Sequence, residues 1–129
     1  MSENNSIFVL EDNDFVRMQI VKFLQGADYH CVEATNPADG VEKLQANLDA
    51  IQCMLVDVRM EPEDGFDFLN KLNALDIQKP TIMVTGDQNP DILSRASAAN
   101  VAGVLIKPVN KDRLIQMVAR AIQQSQRNK

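Results

Sequence analysis

Residues 53–57 read Cys-Met-Leu-Val-Asp, an apolar run that ends in an acid. Three further runs have the same character: Ile-Phe-Val-Leu at 7–10, Ile-Met-Val at 82–84 and Val-Leu-Ile at 104–106. Each run leads into polar residues that can do chemistry, which are Glu11-Asp12, Asp57, Thr85 and Lys107. Short apolar runs between helical patterns indicate parallel strands that are buried on both faces. Because chemistry in such sheets gathers at the carboxyl edge, we expect these side chains to share one crevice.

Helical patterns separate the strands and begin at ordinary start signals. We expect four residues to act as N-caps: Asp14, Asn36, Asn89 and Asn110. Proline follows two of them, at the first helical position, and Gly26 is predicted to end the first helix. Apolar residues at helical spacing predict the inner faces, and these include Leu75 in the third helix and Leu93 in the fourth.

With a further short strand at His30–Ala34, the alternation gives five strands and five helices. It predicts an α/β fold with a doubly wound, five-stranded parallel sheet of order 2-1-3-4-5. Glu11-Asp12 and Asp57 would then flank the point where the strand order reverses. We expect one domain over residues 1–129, with a core at about 6–123 and a polar tail at 124–129.

The charge balance disfavours several classes of function. The chain has 18 acidic and 13 basic side chains, for a net charge of -5, and lacks the basic stripe of a nucleic-acid binder. No apolar run approaches the ~20 residues of a membrane span. We therefore expect a cytoplasmic domain that contacts neither membrane nor nucleic acid directly.

The acidic cluster points to metal and phosphoryl chemistry. Carboxylates packed together raise one another's proton affinity unless a cation offsets them. Mg²⁺ favours such oxygen ligands and is typically held by one or two carboxylates, which leaves a third acid free; Mn²⁺ is the alternative ion. We predict that Glu11 and Asp12 hold the metal and that Asp57, alone at its strand end, attacks phosphorus to form an aspartyl phosphate.

Two dipeptides supply complementary groups. Lys107 can reach a phosphoryl oxygen as a point charge, and Pro108 restricts it to an extended conformation, with a cis bond left open. Thr85 offers a hydroxyl, and Gly86 leaves room for a donor molecule. Each residue alone has an ordinary explanation, such as a surface lysine or a turn. Their joint placement at one sheet edge favours a site.

These residues resemble the receiver domain of two-component response regulators, and the chain is similar to single-domain chemotaxis regulators. The resemblance covers roughly residues 6–123 and implies the flavodoxin-like form of the fold. It rests on five ordered motifs, which are Glu11-Asp12, Asp57 within 55–60, Asp64-Gly65, Thr85-Gly86 and Lys107-Pro108.

The resemblance implies that Asp57 accepts a phosphoryl group from a histidine kinase or a histidine phosphotransfer protein. The implied metal ligands are Glu11, Asp12, Asp57 and the backbone carbonyl of Arg59; the implied phosphoryl ligands are Thr85 and Lys107. The fourth helix, fifth strand and fifth helix would then switch and signal to an output domain or partner, and this surface could also form a homodimer. Such a domain is not an enzyme, although it assists its own phosphorylation and dephosphorylation.

The chain departs from the family pattern at three positions. Val104 stands where the family usually has an inward-swinging aromatic residue, so aromatic switching is not expected here. Glu61 occupies the usual proline position and Pro62 follows it. Arg59, two residues past the acceptor, is expected to pair with Glu11, Glu61 or the phosphoryl group and to alter its lifetime; a solvated arginine is the alternative.

Three other functions compete with this interpretation. A phosphatase of the haloacid-dehalogenase type needs a second acid where this chain has Arg59. A flavin carrier needs phosphate-cradling donors where residues 11–14 are mostly acidic. The main alternative is a receiver-like module that binds partners without being phosphorylated, which the complete set of motif residues disfavours.

Overall fold

The computed structural model describes residues 5–127 as alternating strands and helices. Their bounds, in chain order, are β1 Ser6–Leu10, α1 Asp14–Gly26, β2 His30–Ala34, α2 Pro37–Ala46, β3 Ile51–Asp57, α3 Gly65–Ala74, β4 Thr81–Thr85, α4 Pro90–Ala98, β5 Gly103–Ile106 and α5 Lys111–Arg127. All strand pairs are parallel, and the sheet order is β2-β1-β3-β4-β5. The predicted α/β fold, its five strands, its five helices and its strand order are confirmed.

Alternate residues of the central strands feed two cores, one on each face of the sheet. Phe8 packs against Phe68 on one face, with ring centroids 5.9 Å apart. Ile7 and Val9 pack on the other face with helical residues that include Leu114. Because successive strand residues point to opposite faces, one apolar run supplies both cores. The strands are therefore held firmly, and so is their carboxyl edge.

The helix starts follow the predicted caps with one exception. Asn13, not Asp14, caps α1, because the helix already includes Asp14 and the Asn13 side chain accepts the Val16 N–H at 3.0 Å. Asp14 instead pairs with Arg17 in the first turn of α1, at 2.7 Å. The three remaining caps are confirmed: Asn36, Asn89 and Asn110.

Two leucines predicted to face inward are exposed. Leu75 is 46% exposed because α3 ends one residue earlier, and Asp76 then turns the chain at φ 61° so that Ile77 is buried instead. Leu93 is 57% exposed because its neighbour Ile92 holds the inward position on α4. Both predictions were wrong because the helical spacing was extended to residues that do not lie on the buried face of the helix.

The ends of the described region bear on two further expectations. Helix α5 continues through Arg127, so the first four residues of the expected polar tail are helical, and residues 128–129 lie outside the described range. Residues 1–4 lie outside it as well. No helix within residues 5–127 is both long and apolar enough to cross a membrane.

Two glycines allow a matched test of the packing at the carboxyl edge. Gly65 opens α3, and a methyl group there would clash with the carbonyl oxygen of Asp57 and lie 2.8 Å from Met83 Cε. Gly26 ends α1 and has open space around it. We expect Gly65→Ala to lower the free energy of unfolding by about 1–3 kcal/mol. Gly26→Ala should raise it by about 0.5–1 kcal/mol. Urea denaturation measures both, and equal effects would contradict the close packing at Gly65.

Candidate functional site

The sheet brings three acids together at the end of two neighbouring strands. Leu10 of β1 is in register with Val56 of β3, so Glu11, Asp12 and Asp57 emerge side by side. Glu11 and Asp57 are almost fully buried, whereas Asp12 is exposed. One carboxylate oxygen from each acid lies within 4.8 Å of the others. The predicted cluster exists, and it lies where the strand order reverses.

Lys107 stands between the two buried acids. Its Nζ lies 3.0 Å from Glu11 Oε1 and 3.3 Å from Asp57 Oδ1. The end of β5 positions it, because the Lys107 N–H donates to the Thr85 carbonyl at 2.8 Å. The peptide bond to Pro108 is cis. The lysine predicted to serve the phosphoryl group therefore pairs with the acids in the free protein.

Burial dominates the electrostatics of Asp57. Burial, as the largest cause, and the adjacent carboxyl group of Glu11 raise the pKa of Asp57 while Lys107 lowers it, and the net result is a pKa of about 7. The pKa of Lys107 is itself raised: burial alone would lower it, but contact with Glu11 and Asp57 outweighs that effect. One ammonium thus serves two buried carboxyl groups, which leaves the pocket short of positive charge.

The residues present fit a hard divalent cation. Glu11 Oε1 is the one fully buried side-chain oxygen within residues 5–127 that has no hydrogen bond, although Lys107 Nζ lies at ion-pair distance. The nearby ligand atoms are carboxylate oxygens, which Mg²⁺ prefers. Glu11, Asp12 and Asp57 could therefore hold such an ion.

Thr85 lies at the same edge, at the end of β4. Its side chain is fully buried, and its Oγ1 accepts the Asp87 N–H at 3.0 Å. The pairing of β3 with β4 sets Asp57 opposite Val84, one residue before Thr85. Gly86 follows and is exposed. The hydroxyl is thus fixed beside the acceptor strand, and an open glycine lies next to it.

Arg59 does not contact the residues predicted for it. Its guanidinium pairs with Asp87 rather than with Glu11 or Glu61. The side chain is 72% exposed and reaches the segment after β4, where Asp87 lies. This pairing holds the pKa of Asp87 below its usual range. Sequence reasoning missed Asp87 because the pair spans 28 residues and leaves no local pattern.

Val104 is half-buried in β5 and is in register with Met83. Together with Leu93 and Ile106 it lines a groove of about 260 Å³ beside α4. The residue that replaces the usual aromatic side chain is thus part of an open apolar surface between α4 and β5.

Comparison with known proteins gives the family. The family described as the response regulator receiver domain matches residues 7–119. The chemotaxis protein CheY of Treponema pallidum is 23% identical over 88% of this chain and 79% of its own length. The transcriptional regulatory protein FixJ of Bradyrhizobium diazoefficiens is 28% identical over 98% of this chain, and DctD of Rhizobium meliloti, the C4-dicarboxylate transport regulator, is 28% identical over 94%. The chain spans only 60% and 26% of these two longer relatives.

Solved structures show the same fold. The chemotaxis protein CheY4 of Vibrio cholerae superposes with a TM-score of 0.82 at 23% identity, covering 90% of this chain and 97% of its own. A response regulator receiver domain from Clostridium thermocellum reaches a TM-score of 0.88 at 21% identity, covering 96% and 98%. With the strand order and the acidic edge described above, the match over residues 7–119 shows that this chain belongs to the response regulator receiver domain family.

Proposed function

We propose that this chain receives a phosphoryl group on Asp57 from a phosphohistidine of a histidine kinase or a histidine phosphotransfer protein, in a Mg²⁺-dependent reaction. The observation that carries the proposal is the nearly buried carboxylate of Asp57 at the carboxyl edge of the sheet. It pairs with Lys107, which also pairs with Glu11. The surface of α4, β5 and α5 would then signal to an output domain or a partner. The working unit would be a single cytoplasmic domain at about 6–123 that is a signalling protein rather than an enzyme.

The transfer is a substitution at phosphorus. A carboxylate oxygen of Asp57 forms the new O–P bond while the N–P bond of the donor phosphohistidine breaks, and the bonding electrons return to the imidazole, which takes up a proton. Asp57 must be ionised to attack. Its raised pKa of about 7 leaves a substantial ionised fraction near neutral pH, and the ammonium of Lys107 favours that fraction.

The remaining residues would stabilise the negative charge of the incoming phosphoryl group. Lys107 Nζ lies 3.3 Å from Asp57 Oδ1, so its ammonium can pair with an oxygen of a phosphoryl group on this carboxylate. The Thr85 hydroxyl accepts the Asp87 N–H and keeps its own proton available for another phosphoryl oxygen. A divalent ion held by Glu11, Asp12, Asp57 and the Arg59 carbonyl would supply the positive charge that the pocket lacks.

Replacement of the acceptor tests the proposal directly. We expect Asp57→Asn to abolish the uptake of label from a labelled phosphoramidate in the presence of Mg²⁺, because the amide is not a nucleophile. Asp76→Asn is the matched control, since Asp76 is exposed at the opposite end of the sheet and asparagine tolerates its φ of 61°. If the parent takes up no label, or if Asp57→Asn labels as fast as the parent, the domain works without phosphorylation at this residue.

The metal site can be tested without phosphorylation. Magnesium at about 100 times its Kd should stabilise the parent by about 2.7 kcal/mol, because a ligand that binds only the folded state favours it. We expect Asp12→Asn, which changes an exposed carboxylate, to weaken Mg²⁺ binding with little effect on the metal-free protein. Thermal unfolding with and without MgCl₂ measures this. A parent whose unfolding is unchanged by Mg²⁺ would contradict the site.

The Arg59–Asp87 pair joins the loop that follows Asp57 to the segment after β4 and should affect the phosphoryl lifetime. We expect Arg59→Ala to accelerate hydrolysis of the labelled protein several-fold, because these two segments would no longer be joined by the pair. Arg59→Lys keeps the charge, so its hydrolysis rate should lie between those of the parent and of Arg59→Ala. The decay of label after removal of the donor measures the lifetime, and an unchanged rate in Arg59→Ala would refute the role.

A further inference from the structure

Two arginine–aspartate pairs connect the loop after β3 to the segment after β4. We call residues 58–64 the acceptor loop, because it follows Asp57 directly. Arg59 near the start of this loop pairs with Asp87. Asp64 at its end pairs with Arg95 of α4, with Nη2 3.1 Å from Oδ2. The acceptor loop is therefore bound at both ends to the part of the chain that contains α4.

Arg95 has a second contact, with the first turn of α3. Its guanidinium lies 4.3 Å from the centroid of the Phe66 ring, and Phe66 is buried. Burial would raise the pKa of Asp64, but the N–H of Asp67 and the guanidinium of Arg95 outweigh it and hold that pKa below its usual range. The pair thus stays charged at neutral pH. Arg95 clamps α4 to the first turn of α3 through one ionic and one cation–π contact.

The first turn of α3 is packed tightly against the acceptor residue. The Gly65 N–H donates to the Val58 carbonyl at 2.8 Å, and there is no room for a side chain on Gly65 next to the Asp57 carbonyl. Asp64 also caps α3 by accepting the Asp67 N–H at 2.9 Å. A change in the backbone around Asp57 and Val58 would therefore move the turn that Arg95 grips, because close packing leaves little slack to absorb it.

Helix α4 has few other attachments that could oppose such a movement. Ile92 and Ala96 are its only buried side chains within the described Pro90–Ala98 helix. Leu93 is mostly exposed, and the groove beneath it is lined by the small side chain of Val104. Because few apolar side chains of α4 are buried, the position of this helix depends more than usual on its polar contacts.

We infer that Arg95 is a positioning residue that couples α4 to the state of Asp57 through Asp64 and Phe66. The inference rests on the proposed function, since it states how phosphorylation would reach the signalling surface. An aromatic residue at position 104 is absent, and the Arg95 clamp joins α4 to the acceptor site by a different route. The signal would then pass through the ionic contact of Arg95 with Asp64 and its ring contact with Phe66, both at the start of α3.

The test uses beryllofluoride with Mg²⁺, which mimics a phosphoryl group on an aspartate, and follows backbone amide shifts by NMR. Two variants remove the clamp and spare the fold. Asp64→Asn keeps an oxygen that can cap α3, and Arg95→Gln removes only the charge and the ring contact. Lys71→Gln is the matched control, because it breaks the Glu63–Lys71 pair, which joins the acceptor loop to the last turn of α3, without touching α4.

In the parent and in Lys71→Gln we expect beryllofluoride to shift the amides of Asp57, Thr85 and helix α4 together. In Asp64→Asn and Arg95→Gln the amides of Asp57 and Thr85 should still shift, while the shifts along α4 fall by at least half. The double variant should behave like Arg95→Gln, because that change already removes the ionic contact that Asp64→Asn removes.

Four outcomes would overturn the inference, and they are distinguishable. If α4 responds in the two clamp variants as it does in the parent, or if the double variant loses more than Arg95→Gln does, Arg95 does not carry the coupling although the acceptor works. If the parent shows no shift at Asp57, the proposed function itself fails and the coupling with it. An α4 response lost equally in Lys71→Gln would show a general weakening of α3 and would also refute the role of Arg95.

Discussion

The structure of the site depends on one ammonium group shared by two buried acids. Lys107 Nζ lies about equally far from Glu11 and Asp57, and both carboxyl groups are almost without solvent. Removing a carboxylate from water costs free energy unless an opposite charge compensates it. One cation offsets two acids only in part, and the pKa of Asp57 accordingly stays near 7. The pocket is therefore built with a deficit of positive charge that a metal ion or a bound phosphoryl group with its metal can fill.

This deficit has a consequence for stability, whose sign follows from the direction of the shift. The pKa of Asp57 is about 7 in the folded protein and 3.8 for an unperturbed aspartate, so the folded state binds the proton more tightly. Ionisation of Asp57 then opposes folding: the cost is absent at low pH, grows as the pH rises through this interval, and is fully present above neutrality. Without a bound cation, ionised Asp57 thus lowers the stability of the fold above neutral pH, and strongly shifted pKa values of this kind cluster at functional sites.

The sequence predicted the sheet well because its information is local. Runs such as 53–57 and 104–106 carry both the strand and the reactive residue at its end, and the parallel order then brings Glu11, Asp57, Thr85 and Lys107 together. Prediction from the sequence failed where a contact joins segments that are distant in the chain, or where a helix ends earlier than its apolar spacing indicates. The pairing of Arg59 with Asp87 and of Arg95 with Asp64 leaves no trace in spacing, since 28 and 31 residues separate the partners. The exposure of Leu75 depends on the turn at Asp76, where a residue with positive φ ends the helical periodicity.

The unpredicted contacts matter because they surround the predicted ones. The buried acids and Lys107 lie on strand ends that the two cores hold in place, so little can move there. The arginine pairs lie instead on the acceptor loop, on the segment before α4 and on α4 itself, and the Arg59 and Arg95 side chains are 72% and 40% exposed. Exposed ion pairs contribute little to stability. They join the acceptor loop to a helix whose buried side chains within Pro90–Ala98 are Ile92 and Ala96, and this position suits the proposed coupling of α4 to Asp57. The proposed chemistry thus uses a rigid strand edge, whereas the proposed coupling uses partly exposed ion pairs beside it.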